Sequence, residues 1–229
     1  MIKNIFIDLD NTIIKDEIED AEYYRNALEK YGYNPDDCYI LCETIDLYEA
    51  SLTEDNPCYN KRECMEFINK YLNKDYCYEL VDSINEMIGL YWTKRVMIPE
   101  DTMRKLSEKY NLYVFTNYFG ETQLERLKTI GYDKYFKKVF GADEYGLKKF
   151  NKSFRKVLDE IKAKPEECLF IGDSLMGDVA IPKKIGMEAI LFDYDGSRND
   201  KNLIKDMNVS DYKVMTDFNQ IFELIENMW

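Results

Sequence analysis

Histidine is absent from all 229 residues of the chain. Ser-His-Asp triads, Cys-His dyads, phosphohistidine chemistry and HExxH zinc hydrolysis each need an imidazole, so none of them can run on this chain alone. Acid and base work therefore falls to carboxylate, thiol, phenol or amine. Proline and glycine are also scarce, at 5 and 10 residues, which excludes collagen-like repeats and Pro/Gly-rich disorder. The six cysteines (Cys38, Cys42, Cys58, Cys64, Cys77 and Cys168) contain no CxxC pair. Without histidine they spell no zinc site, and buried reduced thiols are expected. No apolar run is long enough for a signal sequence or a membrane span, since the opening stretch Ile5 to Leu9 is already interrupted by Asp8. A cytoplasmic protein is expected.

Positive charge is short as well. The chain carries 31 Lys and Arg against 44 Asp and Glu, a net charge of −13. Such a balance repels polyanions, so neither a nucleic acid polymer nor an anionic membrane is an expected partner, while a small anion can still bind at a local site. Hydrophobic residues make up 45% and charged residues 33%, the composition of a globular protein with one domain and a substantial insertion, or two small domains.

Two kinds of pattern alternate along the chain. Residues 2 to 9 (IKNIFIDL) form a β-branched and aromatic run that reads as a buried strand ending near Asp8. From about Asp16 to Arg95 the spacing is helical, with Ala21, Tyr24, Leu28 and Tyr31 on one face, then Cys64, Phe67, Ile68 and Tyr71, then Leu80, Ile84, Met87 and Tyr91. Breaks at Gly32 to Pro35, Asn56-Pro57 and Asn73 to Asp75 divide this stretch into about four helices. After Pro99 short strands and helices alternate again, with strands expected near 112–116, 138–140, 168–171, 189–192 and 213–215. Strands separated by helices of this length imply an α/β fold, a parallel sheet with helices on both faces. In such sheets ligands bind beyond the carboxyl ends of the strands.

Three of these strands end in polar residues: Asp8 and Asp10, then Thr116 and Asn117, then Asp173 and Asp178. In parallel strands they converge on one edge. Asp8-Leu9-Asp10-Asn11-Thr12 sets two carboxylates two residues apart, where one can attack an electrophile while the other handles the leaving group's proton. Paired carboxylates can be driven into different protonation states by burial and by each other.

Taken together, these motifs resemble the haloacid dehalogenase superfamily in its phosphatase branch. Asp8 to Thr12 (DLDNT) resembles the nucleophile motif, Thr116 after LYVF the second motif, Lys148 the third-motif lysine, and Gly172 to Asp178 (GDSLMGD) the fourth. The resemblance implies a Rossmann-like core at residues 1–14 and 97–229 and an inserted all-helical cap at 15–96. It also implies Mg²⁺ held by Asp8, the backbone carbonyl of Asp10 and Asp173, with Asp178 supporting the site. Asp8 is then the nucleophile and Asp10 the general acid and base. Thr116, Lys148 and the backbone N–H groups of Leu9 and Asn117 would bind the phosphoryl group of a small phosphorylated metabolite, a nucleotide or a sugar phosphate. A sugar phosphomutase shares all four motifs and is the nearest rival, followed by a catalytically silent binding protein on the same scaffold. A dehalogenase is disfavoured because dehalogenases of the family lack an acid at the place of Asp10.

Two positions depart from the usual pattern. A proline commonly follows the third-motif lysine, but Lys149 and Phe150 stand there. A helix phenylalanine commonly follows that lysine by six positions, so Phe154 selects Lys148 and leaves Lys149 as an expected surface ammonium. Farther on, Pro182 sits where small residues are common, which places a helix start near Asp178 to Ile181, with proline in the first turn.

Overall fold

The computed structural model describes residues 1–15, 21–91, 95–146, 149–198, 209 and 211–228, with the side chains of 21 and 87–91 excepted. In chain order the strands are β1 (Asn4–Ile7), β2 (Ile14–Lys15), β3 (Arg95–Val96), β4 (Asn111–Phe115), β5 (Phe136–Phe140), β6 (Cys168–Gly172), β7 (Glu188–Phe192) and β8 (Lys213–Met215). The helices are α1 (Ala21–Lys30), α2 (Cys38–Ser51), α3 (Lys61–Leu72), α4 (Glu79–Tyr91), α5 (Glu100–Lys109), α6 (Gly120–Thr129), α7 (Ala142–Tyr145), α8 (Asn151–Ile161), α9 (Ile181–Ile185) and α10 (Ile221–Glu226).

Six strands form one parallel sheet in the order β5-β4-β1-β6-β7-β8. β1 lies in its interior, all four residues of NIFI buried: Ile5, Phe6 and Ile7 are apolar, and the Asn4 amide accepts from Asn111 Nδ2 at 3.2 Å and donates to Cys168 Sγ at 3.8 Å. The side-chain alternation of the strands sorts the two faces by chemistry. Ile5, Ile7, Val114 and Ile171 point into an aliphatic layer with Met103 and Leu106 of α5 and Ile221 of α10. Phe6, Phe115 and Phe170 point the other way into an aromatic layer with Phe154 and Val157 of α8. The Phe6 and Phe170 rings stack at 6.2 Å between centroids, and Phe154 meets Phe170 edge-on at 5.4 Å. Removing such a fully buried ring is expected to cost about 3–5 kcal/mol. The chain leaves β1 toward β4 on one side and reaches β6 on the other, so the switch point of the sheet falls at β1.

Helices α1 to α4 lie in the chain between β2 and β3, and these two short strands pair antiparallel, Ile14 with Val96 and Lys15 with Arg95. The helices bury their own cluster, including Leu28, Leu41, Ile45, Cys64, Ile68 and Leu80, to which Phe119 and Ala142 of the α/β part contribute. Tyr24, Leu28, Cys64, Ile68, Leu80 and Ile84 of the expected stripes are buried, but Tyr31 and Tyr71 at their ends are exposed. The side chains of Ala21, Met87 and Tyr91 lie outside the described ones. Asn60 caps α3 by accepting from the Arg62 and Glu63 N–H groups at 2.9 and 3.2 Å, and Asn73 closes it in the left-handed region at φ 52°. No helix among the described residues is long and apolar enough to cross a membrane. All six cysteines are free thiols. Burial pushes those of Cys64 and Cys168 up to about 12, which leaves them protonated and chemically quiet.

Candidate active site

The edge beyond the carboxyl ends of β1, β4 and β6 gathers the polar residues. Asp8 follows β1 and still donates its N–H to the Ile171 carbonyl at 2.9 Å, so its backbone is fixed as part of the sheet. The chain then doubles back. The Leu9 carbonyl accepts from Thr12, Ile13 and Ile14 N–H at 3.3, 2.9 and 3.0 Å, and Leu9 anchors the turn from below with a fully buried side chain. Asn11 sits at φ 56°, a left-handed conformation that asparagine tolerates better than most residues. Within this turn Asp8 is buried, whereas the Asp10 side chain keeps 33% of its exposure.

The lysine of the site is Lys149. Its Nζ lies 2.6 Å from Asp8 Oδ1 and 2.6 Å from Asp178 Oδ1, and its side chain is 2% exposed. Lys148, the residue expected there, lies outside the described residues, and the expectation that Lys149 is a surface ammonium is overturned. The local backbone explains the register. Lys149 adopts φ 47°, Phe150 is extended as the residue before α8, and the helix begins at Asn151. Buried Phe154 therefore follows the site lysine by five positions. The stem of Lys149 also runs beside Phe170, with Nζ 5.0 Å from the ring centre.

Asp178 reaches back from the segment after β6. Its Oδ2 accepts the Ser174 N–H at 3.0 Å, and Ser174 Oγ in turn accepts the Gly177 N–H at 3.1 Å, closing a compact turn. Only glycine fits at 172, since a Cβ there would stand 2.1 Å from Asp178 Oδ2. The helical run starts earlier than the expected Asp178 to Ile181: Ser174 caps a wide π-helical turn over residues 175–180, which runs straight into α9 at Ile181, and Pro182 stands second in α9 directly after the wide turn.

Asp173 completes the acidic side. One oxygen from each of Asp8, Asp173 and Asp178 lies within 4.8 Å of the others. Arg198, from the loop after β7, approaches Asp173 Oδ2 at 3.0 Å and covers the Tyr194 ring at 5.5 Å. Burial raises the Asp8 carboxyl well above the usual range, and the charges of Asp178, Asp173 and Asp10 push the same way against the pull of Lys149. Burial and the Asp178 charge likewise push Asp173 up to about 6, against Arg198 and Lys149. Burial opposes the Lys149 ammonium, but the attraction of Asp178 and Asp8 outweighs it and holds the lysine protonated. The three carboxyl groups of the cluster, Asp8, Asp173 and Asp178, outnumber Lys149 and Arg198, the cations paired with them among the described residues. Hard oxygen ligands in a desolvated pocket short of positive charge fit a hard divalent cation.

Asp10 faces a different set of partners. Arg126 of α6, whose side chain is fully buried, donates from Nη1 to Asp10 Oδ1 at 2.5 Å and to Gln123 Oε1 at 2.6 Å. Gln123 donates from Nε2 to Asp10 Oδ2 at 2.7 Å and to Thr116 Oγ1 at 2.9 Å. Thr116, placed just after β4 by its own N–H to the Phe140 carbonyl at 3.0 Å, also accepts the Tyr118 N–H at 3.3 Å. The structure thus brings Asp8, Asp173 and Asp178 into one cluster and Asp10 and Thr116 into an adjoining network, while the Asn117 side chain is exposed. Sequence reading missed Gln123, Arg126 and Arg198. The first two carry a faint signal, a polar pair three residues apart in the helix that follows Thr116. Arg198 carries none.

A family model described as haloacid dehalogenase-like hydrolase matches residues 2–186. Among characterised relatives, a glyceraldehyde 3-phosphate phosphatase of Pyrococcus furiosus is 27% identical over 243 aligned positions, covering 98% of this chain and 93% of the relative. Among solved structures, the magnesium-bound HAD-hydrolase YfnB of Bacillus subtilis superposes with a TM-score of 0.69 at 18% identity, covering 98% of both chains. A 2-haloacid dehalogenase of Pseudomonas syringae superposes at 0.70, again at 18% identity and over the whole of both chains. At that identity the two structures speak for the fold. With the family model spanning most of the sequence and the motif residues gathered at one sheet edge, this chain belongs to the haloacid dehalogenase-like hydrolases.

Proposed function

We propose that the protein is a Mg²⁺-dependent phosphomonoester hydrolase that works through an aspartyl phosphate on Asp8. Its substrate is a small phosphorylated metabolite, with a short sugar phosphate first in line because of the relationship to glyceraldehyde 3-phosphate phosphatase along nearly the whole chain. The observation that carries the reading is the contrast between two carboxylates two residues apart. Asp8 sits buried in an acid cluster short of positive charge, and Asp10 stands outside that cluster in contact with the hydroxyl network of Thr116.

Asp8, Asp173 and the backbone carbonyl of Asp10 would hold the cation, and Asp178 would support them. Bound there, Mg²⁺ would neutralise phosphate charge and align its oxygens for attack. Asp8 forms a bond to phosphorus as the bond to the leaving alkoxide breaks, and Asp10 gives the departing oxygen its proton. Asp10 then takes a proton from the water that attacks the aspartyl phosphate, freeing Asp8 and inorganic phosphate. Lys149, in the role expected of Lys148, joins Thr116 and the N–H groups of Leu9 and Asn117 in stabilising the phosphoryl oxygens. Residues 15–96 serve as a cap on the core formed by 1–14 and 97–229. Support for this comes from the β2–β3 pair at the base of the insert, the Tyr59 N–H donated to Ala142 at 3.0 Å, and the Lys152–Asp55 ion pair. A cap of this kind excludes water and selects the leaving group.

Phosphate release from a panel of sugar phosphates and nucleotides, with Asp8→Asn as control, tests the proposal. Activity should vanish in EDTA and return with Mg²⁺, while Ca²⁺, which favours more ligands at longer distances, should not restore it. Full turnover in excess EDTA would refute the metal-dependent mechanism.

A further inference from the structure

We propose that Gln123 is a positioning residue that turns the Thr116 hydroxyl proton into the phosphate site and holds Asp10 beside it, with Arg126 setting the direction of the Gln123 amide; this rests on the phosphatase reading above. The argument is one of donor direction. A guanidinium only donates, so the Gln123 atom facing Arg126 at 2.6 Å is the amide oxygen. The Gln123 nitrogen is thereby fixed toward Thr116 Oγ1 and Asp10 Oδ2, and its two hydrogens match those two acceptors at 2.9 and 2.7 Å.

A hydroxyl has two acceptor lone pairs and one proton. The Thr116 lone pairs are taken by Gln123 Nε2 and by the Tyr118 N–H. Its proton is left as the one group with which Thr116 can make a further bond, and a phosphoryl oxygen is an acceptor that suits it. Without Gln123 the hydroxyl could rotate and spend its proton on Asp10 or a neighbouring carbonyl. Arg126 acts one bond farther away. Being wholly buried and tied to Asp10 Oδ1 at 2.5 Å, it cannot swing aside without leaving a buried charge unpaired.

Gln123→Glu tests the proposal, because it keeps the size and the acceptor facing Arg126 while replacing the donor toward Thr116 and Asp10 by an oxygen. Turnover should fall by about two powers of ten, the usual worth of one oriented donor, with KM moved less than about fivefold. The affinity for inorganic phosphate in the presence of Mg²⁺, measured by calorimetry, should fall by about tenfold. In a Thr116→Val background the Gln123→Glu loss should be smaller than in the wild type by at least about fivefold, since the share that passes through Thr116 is gone and only the hold on Asp10 remains. Should Gln123→Glu fail to fold, Gln123→Met removes the same donors without adding charge and is read through the same cycle.

Wild-type turnover in both Gln123 variants, or an undiminished loss in the Thr116→Val background, would overturn the positioning role and leave the phosphatase reading standing. A wild type that hydrolyses nothing yet binds phosphate, with the expected loss in the variant, would overturn the phosphatase reading and keep this one. A wild type that does neither would remove both.

Discussion

Asp8 and Asp10 stand two residues apart in one turn, yet they inhabit opposite environments. Asp8 is enclosed with Asp173 and Asp178, and the Lys149 ammonium that it touches is shared with Asp178. Asp10 is a third exposed and has both oxygens engaged by donors from α6. The difference teaches that a DxD pair acquires two roles from what the sheet places around it. Strand β6 supplies Asp8 with like charges, and the helix after β4 supplies Asp10 with donors. A buried carboxylate among carboxylates attracts a cation, whereas a carboxylate held by donors at the rim is a fixed point for moving protons.

The largest effect should come from the buried half. Asp8→Asn is expected to reduce turnover below about a hundredth of wild type, since an amide is a poor nucleophile and a poor ligand for a hard cation. Asp10→Asn should slow the chemistry by about two to four powers of ten but keep phosphate binding, as measured by calorimetry. Equal losses of binding in both variants would dissolve the contrast between the two halves.

Next in size is the lysine. Lys149→Ala leaves Asp8 and Asp178 buried without their shared cation, so turnover should fall by at least about two powers of ten. Lys148→Ala should stay within about threefold of wild type, since Lys149 already fills the place beside Asp8. The reverse ranking in steady-state kinetics would return the role to Lys148.

A smaller effect is expected from Gly172→Ala, which tests whether the acid cluster depends on close packing. Its methyl group collides with the Asp178 carboxylate, and urea unfolding should show a loss of about 1–3 kcal/mol together with weaker Mg²⁺ binding. Unchanged stability would mean that Asp178 can relocate freely.

Arg198→Ala should move least. Arg198 and a divalent cation both seek Asp173, so removing the arginine should tighten Mg²⁺ by about two- to fivefold in calorimetry, a modest change because the arginine is partly exposed. Weaker Mg²⁺ binding would instead make Arg198 a support of the site.

Much of this architecture is written locally. Runs such as IFI, LYVF and CLFI put apolar or aromatic side chains on both faces and form buried strands, and the polar residues that follow each run land at the same edge because the strands are parallel. That is why Asp8, Asp10, Thr116, Asp173 and Asp178 were legible from sequence, as was the four-helix insert with its 3.6-residue stripes. What sequence could not decide depends on how a backbone turns between elements or on how a helix rotates against the sheet. Lys148 and Lys149 are chemically identical neighbours, and the left-handed backbone at Lys149 together with the start of α8 at Asn151 selects between them. Gln123 and Arg126 resemble ordinary polar helix residues until α6 packs over the end of β1 and turns that face inward. Arg198 reaches Asp173 from the loop after β7, the strand beside β6 in the sheet, a contact that no local pattern encodes. Residue type and period fixed the strands, the helices and the edge where chemistry gathers, because those follow from local sterics and burial; the pairing of each carboxylate with its cation was left to long-range packing, which alone brings distant charges within reach.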